Sequence, residues 1–114
     1  MDEKILKWLY DIQKATNEIE HHLGKFPRDF RQYQSNTLLK RAVERNLEIV
    51  GEAVNRILRL ESSFPLTNAK RIVGLRNQII HAYDNVSDED IWAIVNKHVP
   101  VLKEEVQNLI ENQP

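Results

Sequence analysis

Four polar side chains able to carry acid–base and phosphate chemistry fall within the segment Leu75-Arg76-Asn77-Gln78-Ile79-Ile80-His81-Ala82-Tyr83, which is otherwise largely apolar. Histidine as a residue type titrates near neutrality, so His81 suits taking a proton from a ribose 2′-hydroxyl or delivering one to a leaving oxygen. A guanidinium such as that of Arg76 pairs with phosphate oxygens and stabilises charge growing on them in a transition state. Asn77, one turn before His81, is placed to orient the imidazole or to bind substrate. The Tyr83 phenol can donate to phosphate or stack on a base. These types together suit RNA cleavage without a metal, with Arg76 and His81 as the catalytic pair. At ordinary residue usage the four-residue pattern arises by chance on the order of once in ten thousand such chains. The structural alternative is a helix end at which Arg76 and His81 meet terminal carbonyls and Tyr83 packs into the core.

The elements that must position this segment are helices. Glycine and proline are sparse, and the apolar residues recur every three or four positions. Ile5, Leu9, Ile12, Ile19 and Leu23 predict a first helix over 2–23, closed by Gly24. The stretch 26–30 permits a short helical turn with Pro27 near its start. Ser35, Asn36 and Thr37 offer caps for a long helix over 36–60, whose buried stripe holds Leu39, Val43, Val50, Val54 and Ile57. Gly51 in its middle marks a close backbone approach, because an interior glycine costs about 1 kcal/mol relative to alanine. Thr67 or Asn68 can cap a helix running through Arg76 to His81. Ser87 with Asp88, Glu89 and Asp90 starts the last one, kinked at Pro100. The fold class is all-α: an antiparallel four-helix up-and-down bundle with one short extra helix, and 1–114 as a single domain.

On a helical wheel at about 100° per residue, Ile72, Leu75, Ile79 and Ala82 form the core face, and Asn77 and His81 lie almost opposite it. Arg76 and Tyr83 lie together near the core's edge. Val73 and Ile80 form a small apolar strip inside the polar sector, which a monomer would leave wet and a two-fold dimer would cover. Two copies so joined would bring two Arg/His sets into one cleft.

Composition sets the limits. The absence of cysteine excludes disulfides and thiolate metal sites, and no long apolar run suggests a signal or a membrane span, so a cytoplasmic location is expected. A net charge of −1 argues against a dedicated electrostatic nucleic-acid binder. Yet residues 25–76 hold eleven Lys or Arg against five Asp or Glu, which fits either a basic face or helix surfaces laced by pairs such as Arg41–Arg45–Glu48. His21 and His22 point about 100° apart on a helix and make no compact metal face. His98 is expected as a hydrogen-bonded core histidine. Glu48 and Glu52 are assigned to pairs with Arg45 and Arg56, with Glu52 held in reserve as a support for the cleft. Trp8 and Trp92 are core or interface aromatics. No glycine loop is present to cradle ATP phosphates, and no cofactor is expected.

Through Arg76, Asn77, His81 and Tyr83 the chain resembles the HEPN superfamily, and within it the HepT-like toxins of type VII toxin–antitoxin pairs, whose pattern reads R-N-x-x-x-H-x-Y. The segment Leu47-Glu48-Ile49-Val50-Gly51-Glu52-Ala53 and the Ile91-Trp92 start of the last helix are also similar. The resemblance implies a homodimer whose paired Arg–His motifs form a metal-independent ribonuclease site. It further implies a minimal nucleotidyltransferase antitoxin as partner, which transfers AMP to the motif tyrosine, here Tyr83. Some HEPN proteins are instead non-catalytic modules that bind nucleotides or partners, so a helical partner of a nucleotidyltransferase is the alternative.

Overall fold

The computed structural model describes residues 1–81 and 86–112. Its elements are α1 (Glu3–Leu23), α2 (Phe30–Ser35), α3 (Thr37–Leu60), α4 (Ala69–His81), α5 (Asp88–Lys97) and α6 (Val99–Glu111). No strand occurs among the described residues, and no described helix is long and apolar enough to cross a membrane.

Side-chain caps account for most helix starts. Asp2 accepts from the Lys4 amide at 2.7 Å, Asn36 from that of Leu39 at 3.0 Å, and Ser87 from that of Asp90 at 3.0 Å. Each cap satisfies an amide that has no intrahelical partner. The short helix α2 begins later than the spacing predicts. Asp29 caps it through the Arg31 amide at 2.8 Å, and Pro27 stays in the preceding turn. Neither Thr67 nor Asn68 caps α4 with its side chain as expected. Thr67 bonds the Glu105 carboxylate on α6, while Asn68, at φ 60°, turns its amide to His98.

Two apolar clusters hold the bundle and fix its directions. In one, Ile5, Leu9 and Ile12 of α1 meet Val50, Val54 and Ile57 of α3, Ile72 of α4, and Leu102 and Val106 of α6. In the other, Ile19 and Leu23 meet Val43 and Leu47 of α3, Leu75 and Ile79 of α4, and Ile91 and Val95 of α5. The start of α1 thus packs beside the end of α3, and the start of α4 beside that same end, so successive long helices run antiparallel. The helical layers alternate up and down, as the all-α reading requires.

The last helix is divided at His98 into α5 and α6, yet the backbone stays helical across the division, with His98 N–H donating to the Ile94 carbonyl at 2.8 Å and the His98 carbonyl accepting from Leu102 N–H at 3.0 Å, as a kink at Pro100 requires. Pro100 explains the division: it occupies the second position of α6 and lacks the N–H that would continue the helical ladder. His98 itself is half-buried rather than in the core. Its Nδ1 meets the Asn68 amide at 3.1 Å, and its Nε2 meets Arg71 at 3.0 Å. A guanidinium can only donate, so Nε2 is the acceptor.

Gly51 has the purpose its position suggests. A Cβ there would lie 2.2 Å from the Cβ of Arg76 and 3.3 Å from the Ile72 carbonyl oxygen, so only a bare backbone lets α4 sit this close. Gly51→Ala must push α4 away. Overpacking of this kind costs about 1–3 kcal/mol, against a gain of about 1 kcal/mol in helix propensity. The expected result is a lower urea midpoint with an unchanged slope; an alanine chain as stable as the native one would contradict it.

Tyr33 is the largest fully buried side chain, packed 5.2 Å from the Trp92 ring, and its hydroxyl has no partner among the described residues. Burial, reinforced by the Glu44 and Asp88 carboxylates, pushes its ionisation well above the ordinary tyrosine range. The folded chain therefore keeps this proton at pH values where the unfolded chain releases it, so the contribution is whole below about pH 10 and stability falls above it. Tyr33→Phe should flatten that alkaline loss in a pH series of urea midpoints and cost no stability at pH 7; a steeper or unchanged alkaline loss would contradict it.

Candidate functional site

The motif helix α4 shows three faces. Ile72, Leu75 and Ile79 are buried in the two clusters. Asn77 and His81 are exposed, on the side away from the core, as the wheel predicts. Arg76 lies between, with its side chain 22% exposed, and crosses to α3. Val73 and Ile80 form less of an open strip than expected: Val73 is half-buried against the chain's own core, and Ile80 alone is exposed, at 39%.

The Arg76 guanidinium is fixed from two sides. Its Nη2 pairs with Glu52 Oε2 at 2.5 Å, and its Nη1 donates to Asn77 Oδ1 at 3.0 Å. Glu52 Oε1 in turn accepts from Arg56 Nε at 3.0 Å, so one carboxylate bridges two arginines. Arg76 Nε is buried without a partner among the described residues, a donor left unmatched at the centre of the site. Glu52 was anticipated chiefly as a partner of Arg56. The signal for its second role was Gly51 beside it, since the close approach that Gly51 permits is what brings Arg76 within reach.

Asn77 holds the arginine rather than the imidazole. The described residues include no hydrogen bond between Asn77 and His81, although one turn separates them. A shorter and stronger option exists at hand: the Arg76 guanidinium is a charged donor, and charged donors make the stronger bonds. No hydrogen bond joins Arg76 to His81 among the described residues, and at about 100° per residue their side chains leave α4 about 140° apart. Arg76 lines a cavity of about 340 Å³ with Trp8, Ile49, Glu48, Glu52 and Ile80, and His81 is not among its lining residues. Tyr83 and Ala82 lie outside the described residues, so the expected place of Tyr83 beside Arg76 is not part of this geometry.

Of the eleven basic residues in the chain's middle, five are in ion pairs among the described residues, four of them on α3. Arg41 bonds Glu44 at 2.7 Å, and Arg45 bonds Glu48 at 3.0 Å. Such exposed pairs are worth little in stability, but they neutralise the helix surface locally. Among the described residues, no group of three or more His, Asp or Glu side chains is spaced to hold a metal ion. His21 and His22 stand with ring centres 6.0 Å apart near the end of α1. The arrangement as a whole offers a fixed guanidinium, an adjacent amide and a solvent-facing imidazole on one helix. That is equipment for binding a phosphodiester and moving protons around it.

Comparison with known proteins agrees with this chemistry. Residues 12–109 match the family model described as "Ribonuclease HepT-like". A Methanocaldococcus jannaschii protein named "Putative RNase" is 36% identical over 101 residues, spanning 88% of this chain and 91% of its own length. A Thermococcus cleftensis protein named "Probable ribonuclease HepT" is 32% identical over 108 residues, spanning 90% of this chain and 92% of its own length. No solved structure gives a significant match. A model match over most of the chain, on a helical bundle that carries Arg76 and His81 on one helix, places this protein in the HepT-like ribonuclease family.

Proposed function

We propose that the chain is the ribonuclease toxin of a toxin–antitoxin pair, cutting RNA without a metal at a cleft shared by two copies. The observation that carries this reading is the division of labour on α4. Arg76 is clamped against α3 by Glu52, while His81 stands exposed at the helix end, outside the cavity that Arg76 lines. Within one chain the clamp and the proton carrier do not converge. A second copy related by a two-fold axis would supply its own α4, and exposed Ile80 would lie in the contact.

In that cleft one His81 takes the proton from the ribose 2′-hydroxyl as its oxygen attacks phosphorus. The bond from phosphorus to the 5′-oxygen breaks, and the His81 of the partner protonates the departing oxygen. The products are a 2′,3′-cyclic phosphate and a 5′-hydroxyl. Arg76 stabilises the charge on the non-bridging oxygens, and Asn77 keeps the guanidinium plane in place. No cofactor enters this reaction.

The partner is a minimal nucleotidyltransferase antitoxin, and Tyr83 is the acceptor of AMP. The tyrosine oxygen attacks the α-phosphorus of ATP and pyrophosphate leaves. The added phosphate places negative charge and bulk two residues from His81, where it competes with RNA phosphate for the arginine.

Expression of the native chain should slow growth, and His81→Ala and Arg76→Ala should each relieve it while lowering cleavage of RNA in chelator at least a hundredfold. Equal toxicity of the native and substituted chains would defeat the catalytic reading and favour a non-catalytic partner of the nucleotidyltransferase. Co-expression with that nucleotidyltransferase should add AMP to the intact mass of the native chain and not to Tyr83→Phe. Modification of Tyr83→Phe would move the acceptor elsewhere.

A further inference from the structure

Gly74 has no packing reason to be a glycine. A Cβ there would meet nothing within 4 Å, in contrast to Gly51, so the chain's own fold does not require the bare backbone. Glycine weakens a helix interior, and at an open position its bare backbone leaves room for a group from outside the chain to come close. Gly74 belongs to a row of exposed residues running down α4: Arg71, Gly74, Gln78 and His81, spaced three, four and three apart. At about 1.5 Å of rise per residue, Arg71 stands roughly 15 Å along the helix from His81.

Arg71, Gly74 and Gln78 of this row form one wall of a groove of about 410 Å³, whose other wall is made by Asp90 and Ile94 of α5 and by His98 at the α5–α6 break; His81 is the next residue of the row, beyond the lining. Arg71 is its cation. It is in no ion pair among the described residues, whereas Arg41, Arg45, Arg56 and Arg76 each carry a glutamate. Its one bond, to His98 Nε2, holds the guanidinium across the groove without neutralising it. Gln78 and Asp90 add amide and carboxylate groups, which suit the amino edges of bases, while Asp90 repels phosphate from that rim.

We propose that this groove is a second RNA-contact site, taking the strand a few nucleotides from the scissile bond. Arg71 binds a backbone phosphate and bare Gly74 leaves room for the ribose beside it. The inference rests on the RNA-cleaving reading above. A cation set along the strand from the reacting group positions the backbone through its phosphates without reading sequence.

The test uses the full-length chain and two substrates: a dinucleotide, which reaches only the reacting site, and a longer oligoribonucleotide containing the same step. Arg71→Gln and Gly74→Gln should each lower kcat/KM on the longer RNA about tenfold, with a salt slope shallower by about one for Arg71→Gln. Both should leave dinucleotide cleavage unchanged, and Arg71→Lys should recover part of the loss. Equal losses on the two substrates, or no loss on the longer one, would overturn the proposal. So would a Gly74→Gln chain that sediments as a monomer where the native chain is a dimer, because the groove would then receive a second copy. If the native chain cleaves neither substrate, it is the cleavage reading that fails. Anisotropy of the labelled longer RNA then decides the groove: weaker binding by both variants supports it, and unchanged binding overturns it.

Discussion

The contact on which the site depends is the one made possible by a missing side chain. At Gly51 the backbone of α3 is bare, and the stem of Arg76 on α4 lies where a Cβ would otherwise be. Two helices packed this closely leave the guanidinium little choice of direction. It lands on Glu52, the next residue of α3, and the ion pair fixes its far end as the backbone contact fixes its root. An arginine held at both ends loses less entropy on meeting a phosphate than a free one does, which is the physical advantage of preorganisation.

The rest of the bundle serves that contact from both sides. Ile72 joins the cluster at one end of the molecule, and Leu75 and Ile79 join the cluster at the other, so α4 is anchored along its length. With its core face and its α3 face committed, the remaining face carries Asn77 and His81 into solvent. The same helix therefore holds a fixed cation and an exposed imidazole, and the two are separated by geometry rather than by chain distance. The break at His98 adds to this: it turns α5 into α6 beside the start of α4, where His98 meets Arg71.

Periodicity alone was enough to read the long helices, because each buries one stripe against neighbours and the stripe has a fixed spacing. Asn36 and Ser87 were legible as caps for an equally local reason: a short polar side chain before an apolar series bonds an amide three residues on. Gly51 was legible as a close approach, but not the identity of what approaches. The Glu52–Arg76 pair joins residues 24 positions apart, and no local rule chooses between Arg56 on the same helix and Arg76 on the next; the carboxylate has two oxygens and takes both. Turn spacing offers Asn77 either to His81 or to substrate, and the adjacent guanidinium donates to its Oδ1 instead. Pro100 was legible as the interruption of the last helix because the lost N–H is a local property, whereas the partners of His98, Asn68 and Arg71, lie about 30 residues away and no local rule names them. The start of α2 lies past Pro27 because Asp29 supplies the capping hydrogen bond, to the Arg31 amide.

If the proposed cleavage depends on a preorganised guanidinium, Glu52 acts through Arg76 on RNA, and Glu52→Gln tests this with almost no change of shape. The glutamine can still accept hydrogen bonds but removes the charge that holds the guanidinium. The expected result is a fall in kcat/KM for RNA of about tenfold, equivalent to about 1.4 kcal/mol, with unfolding free energy changed by less than about 1 kcal/mol, as for a partly exposed pair. Unaltered cleavage by Glu52→Gln, in a chain where Arg76→Ala abolishes it, would contradict the claim.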